Sequence, residues 1–200
     1  MSTDAPKTFA ELFDFYKNEV KPLYAAVQVD YGKMPVEILN EINAAFDHIS
    51  RLWIYAGKET EESAVSKAYG HLKRSCLDIF KLGALKAFDR IKDLRRITTL
   101  HLIDNGEFVS QLNLLEYEIE KGSIDARRFE GEPERGFGEW KSVYEKCISL
   151  RELYCSKNIP WAKSEAAKIS RNEKWKTFIL GVVSGLVSGL AVWYIVKLLS

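Results

Sequence analysis

"VEILNEINAAFDHISRLW", residues 36–53, repeats apolar side chains at Val36, Leu39, Ile42, Phe46, Ile49 and Trp53. Steps of three and four residues put all six on one face of an α-helix and on no single face of a strand. The same period extends outward in both directions. Upstream, Thr8 and Glu11 form a capping box, and Phe9, Leu12, Phe13, Tyr16 and Val20 follow on one face. Pro22 kinks or restarts that helix. "DYGKMP" (30–35) reads as a loop, Pro35 suits the first turn of the next helix, and that helix is expected to end near Gly57.

Downstream, a segment opens at Thr60, with Glu59, Glu61 and Glu62 at the positive end of the helix dipole. It continues toward "DNG" (104–106), with Gly83 or Thr98-Thr99 as expected breaks. Further helices are expected over Glu107–Lys121 and Glu139–Ser156, with "EGEPERGFG" (130–138) as a loop between them. Pro160 starts the last helix. Strand patterns are absent, so the fold class is all-α: a helical bundle, expected to be cytoplasmic, over 1–158.

The end of the chain changes character. Residues 159–176 form a basic helix, and Phe178–Val196 is a run of apolar and small residues bracketed by Lys176 and Lys197, with Trp175, Trp193 and Tyr194 near its ends. At 1.5 Å per residue it spans roughly 28 Å, close to the hydrocarbon thickness of a bilayer. The reading is one C-terminal transmembrane helix over 177–197, a tail anchor with the lipid bilayer as partner. The six bases and two acids of 157–176 imply a single-pass protein of the inner (cell) membrane with its N-terminal domain in the cytoplasm. Within this run Gly181, Ser184, Gly185, Ser188 and Gly189 share a face. Small residues let helix backbones approach, so this face predicts a homo-oligomer. At its furthest reach it predicts a pore lined by the serines and closed by Leu180, Leu186, Val187 or Leu190.

Charge is uneven. With 157–176 and Lys197 set aside, the body holds 22 bases and 26 acids, which argues against bulk attraction to nucleic acid. Three cysteines, Cys76, Cys147 and Cys155, form no metal-type pair and read as core thiols. No HExxH, GxSxG or Gly-rich phosphate loop is present, so no catalytic residue, metal or cofactor is assigned and the chain is read as a non-enzyme. His48 and His101 read as ordinary helix-face histidines.

"KAYGHLKRSCLDIFK" (67–81) is the candidate ligand site. On a helix, Lys67, His71, Arg74, Asp78 and Lys81 fall within an arc of about 80°. Their cations suit phosphate oxygens, with Arg74 able to hold two and Asp78 able to orient Arg74 or Lys81.

Taken together, a small helical body, a basic "HLKRSCLDIFK" helix and a terminal membrane segment resemble the membrane effectors of bacterial anti-phage systems of the Hailong type. There a transmembrane effector is paired with a nucleotidyltransferase. The resemblance implies antiviral defence by an oligomeric ion channel, gated by an anionic nucleotide or short oligonucleotide that the nucleotidyltransferase makes. The alternative is a non-conducting, tail-anchored adaptor or scaffold. A Bcl-2-type regulator lacks support because the Asn-Trp-Gly-Arg signature is missing, and a SNARE because no heptads run into the anchor.

Overall fold

The capping box forms as its spacing predicts: Glu11 N–H donates to Thr8 Oγ1 at 3.3 Å and Thr8 N–H donates to Glu11 Oε2 at 3.3 Å. The structure, a computed structural model, describes residues 5–33, 35–54 and 60–199, without the side chains of Leu186 and of residues 190–199. Helix α1 (Phe9–Phe15) passes through a π-helical turn, Tyr16–Val20, into α2 (Lys21–Tyr31). Pro22 lies in the first turn of α2 and has no N–H to donate, so the chain widens by a π turn before it rather than breaking. Gly32 closes α2 in the left-handed region at φ 67°, its N–H donating to Gln28 O at 2.9 Å.

Next come α3 (Val36–Ile54), α4 (Glu61–Arg95), a 3-10 segment (Leu100–Gly106), α5 (Glu107–Arg128), α6 (Pro133–Ser156) and α7 (Ile159–Leu199). Among the described residues there is no strand. Gly57 and Glu59 lie outside the described residues.

The chain forms two compact units. The first comprises residues 1–91 and 113–152. Its core gathers Leu12 and Val20 with Ile38, Ile42 and Ile49 of α3, Val65, Leu72, Ile79 and Phe80 of α4, Ile119 of α5, and Trp140, Val143 and Leu150 of α6. The buried stripe of α3 is turned from the one read in the sequence. Ile38, Ile42, Ala45 and Ile49 face inward, while Val36, Phe46 and Trp53 (70% exposed) lie outward. Exposed rings there cover one another: Trp53 stacks on Phe9 at 6.0 Å and Phe9 on Phe13 at 6.1 Å.

Helix α4 runs 35 residues without breaking at Gly83, and it ends before Thr98-Thr99. The expected loop over 130–138 is mostly helix, because Pro133 at the first position starts α6 early. Gly136 inside α6 is required there, since a Cβ would lie 2.6 Å from Phe129 O.

The second unit comprises residues 92–112 and 153–200. Leu94, Ile97, Leu100, Ile103, Phe108 and Leu112 are buried in it with Ile159 and Ala162 at the start of α7. Thr99 Oγ1 donates to Ala162 O at 2.7 Å, and Lys157 pairs with Asp104 at 2.5 Å. Asp104 and Asn105 hold φ of 48° and 52°, strained values for residues other than glycine, where "DNG" turns the chain into α5.

The membrane reading is corrected. Helix α7 is 41 residues long, yet among the described residues no helix is long and apolar enough to cross a membrane. Its first half carries Lys163, Glu165, Lys168, Arg171, Glu173, Lys174 and Lys176. Among the described residues with side chains, the uncharged stretch of this helix is 177–189. Five of its positions are the weakly hydrophobic Gly181, Ser184, Gly185, Ser188 and Gly189. The transmembrane helix over 177–197, the tail anchor, the inner-membrane placement and the ion channel all go with it. The side chains of Leu186, Leu190, Trp193, Tyr194 and Lys197, which entered that reading, lie outside the described residues.

Candidate functional site

The stripe on α4 faces the first unit's acids. Val65, Leu72, Cys76 and Ile79 bury the opposite side of the helix, as the period requires, and this fixes where the charged side can point. Glu41, one turn into α3, takes two of the stripe's members. Arg74 Nε donates to Glu41 Oε2 at 3.0 Å, and His71 Nδ1 lies 2.8 Å from the same oxygen. Arg74 Nη2 lies 2.7 Å from His71 Nδ1. The His48 ring stacks on that of His71 with centroids 5.2 Å apart.

Further along α4, Lys81 pairs with Glu130 at 2.9 Å and sits 5.6 Å above the buried Trp140 ring. Asp78 is half-buried. Lys67 is exposed at the start of the stripe. The five side chains thus share one face, and on it His71, Arg74 and Lys81 each meet a protein acid.

Electrostatics follow from this pairing. Burial raises the Glu41 carboxyl, but hydrogen bonds from His71 and Arg74 outweigh it and hold Glu41 below the usual carboxylate value. Burial pushes Asp78 up, and the nearby Glu41 charge adds to the shift. A hydrogen bond from Lys81 keeps Glu130 low. Burial raises the thiols of Cys76 and Cys147 to about 12, so neither is a nucleophile at neutral pH. Among the described residues no three His, Cys, Asp or Glu side chains gather in a metal-holding group. His101 is exposed, its Nδ1 3.0 Å from Thr98 O.

Glu41 and Glu130 were not singled out in the sequence. They stand 30 or more residues from the side chains they bind, so no local spacing marks them.

The other feature of note is on α7. From Ala167 to Gly189 every described side chain is exposed. Trp175 (60%), Phe178, Ile179, Leu180 (68%), Val182, Val183 and Val187 (62%) are all open. Nothing lies within 4 Å of where a Cβ would stand at Gly181, Gly185 or Gly189. Leu180, Val183 and Val187 share one face at steps of three and four. Comparison with protein-family models, with curated proteins and with solved structures finds no match to this chain.

Proposed function

We propose that this chain works by binding rather than by catalysis: it is a self-assembling helical adaptor whose copies join through the apolar part of α7. The observation that carries the reading is the exposure of Trp175, Phe178, Ile179, Leu180, Val182, Val183 and Val187 on one continuous helix. A large exposed apolar patch marks an interaction surface. Seven such side chains offer about 700–800 Å² per chain, the area one partner contributes to a standard interface. A second copy supplies the same area at the same place, as a symmetric contact requires.

The test uses cysteine crosslinking. Cys155 is the exposed thiol, whereas Cys76 and Cys147 are buried. Ser184→Cys in a Cys155→Ser background should oxidise to a covalent dimer, and Val183→Glu should abolish it. A chain that stays uncrosslinked, or that crosslinks equally with Val183→Glu, contradicts the proposal. The resemblance to nucleotidyltransferase-paired effectors supports a further element, that the assembly answers an anionic nucleotide or short oligonucleotide in phage defence. Adding short oligonucleotides to the same assay tests it: a changed dimer fraction supports that element, and an unchanged one contradicts it.

A further inference from the structure

The contact at His71 poses a problem that a single protonation state cannot solve. Its Nδ1 lies 2.8 Å from Glu41 Oε2 and 2.7 Å from Arg74 Nη2. A guanidinium nitrogen only donates, and an ionised carboxylate only accepts. Nδ1 must carry a proton to satisfy Glu41 and must lack one to satisfy Arg74. We propose that His71 is a proton-operated selector: neutral, it accepts from Arg74; charged, it donates to Glu41 and frees the outer end of Arg74 to take an external oxyanion.

Each state satisfies one of the two contacts to Nδ1 and loosens the other. With the ring neutral and its proton on Nε2, Arg74 spans the pair, donating Nε–H to Glu41 and Nη2–H to His71. With the ring charged, Nδ1–H donates to Glu41 Oε2, and Arg74 keeps its Nε–H bond to Glu41 at 3.0 Å. Its Nη2 then faces an imidazolium N–H, which repels it. The Arg74 side chain is 54% exposed, so it can turn outward at little cost, whereas His71 and Glu41 are largely covered. The trio goes from neutral to +1, and an oxyanion such as sulfate or a phosphate restores the balance.

Other titratable and charged groups stand on the same two helices. Glu37 on α3 and Asp78 on α4 supply acidic groups, His48 stacks on His71, and Lys67 stands one turn earlier on α4. Lys81 is held by Glu130. The proposal does not depend on α7 assembly.

Imidazole ¹⁵N NMR of the full chain, from pH 8 to pH 5, spans the range in which histidine ordinarily changes charge. The expected result is an unprotonated, hydrogen-bonded Nδ1 at pH 8 that gains a proton on acidification. Sulfate, divalent throughout this range, is the ligand probe. It should bind about tenfold more tightly at pH 5.5 than at pH 8, and His71→Asn or Arg74→Ala should remove that gain. Nδ1 protonated at both ends of the range, equal sulfate affinity at both, or a gain that survives His71→Asn would each overturn the proposal.

Discussion

Gly83 stands in mid-helix because Tyr144 leaves it no neighbour's room: an added Cβ would lie 2.5 and 2.7 Å from the Tyr144 ring. The ring is itself packed on Phe80, centroids 5.2 Å apart, and cannot step aside freely. Gly83→Ala should therefore destabilise the fold by about 1–3 kcal/mol in urea melts, despite alanine's better helix propensity. An unchanged midpoint would show that Tyr144 yields. Asp78 offers the opposite sign. Its carboxyl is raised in the fold by burial and by Glu41, so the ionised form is less welcome folded than unfolded. That cost is present at pH 7 and disappears as pH falls through the folded pKa. Asp78→Asn should raise the melting temperature at pH 7, by an amount worth about 1 kcal/mol or less, and the gain should shrink in acid. A loss of stability at pH 7 would mean that Asp78 holds Lys81 or Arg74 in place.

Helix type was legible at nearly every element, while facing and boundaries were less so. On α3 the stripe Val36, Leu39, Ile42, Phe46, Ile49 and Trp53 followed the period, yet only Ile42 and Ile49 of it are buried, in an overlapping set with Ile38 and Ala45. Both sets repeat at steps of three and four, and only packing against α1 and α4 decides between them. Gly83, Gly136 and Gly138 looked like breakers, but glycine's cost within a helix is about 1 kcal/mol and close packing at Gly83 and Gly136 outweighs it. On α7 the glycines have no such partner within the chain. Gly185→Leu should leave helix content and melting of the single chain unchanged, since the space around Gly185 is open. It should lower the dimer fraction if the small-residue face meets its copy. Circular dichroism together with crosslinking reads both, and an unchanged dimer fraction would assign the contact to the Leu180, Val183 and Val187 face alone.

For the whole molecule, an all-α architecture followed from period and caps, whereas the membrane anchor followed from a count of uncharged residues, and among the described residues no helix is long and apolar enough to cross a membrane. The charged stripe on α4 was visible as a stripe, but Glu41 and Glu130, which occupy it, enter only through tertiary contact. These acids also shape the response to pH. Glu41 lies below its ordinary value in the fold, so its contribution is present above the unfolded carboxylate pKa and is lost as pH falls through the folded one. Glu41→Gln should lower stability at pH 7 and flatten the acid limb of a stability profile below about pH 4.5. A parallel acid limb in wild type and variant would show that other carboxylates set it. Assembly through α7 is decided by sedimentation equilibrium of the full chain across a concentration series. The expected mass is at least twice that of one chain, returning to one chain's mass with Val183→Glu. A single-chain mass at every concentration, or an assembly indifferent to Val183→Glu, would contradict it.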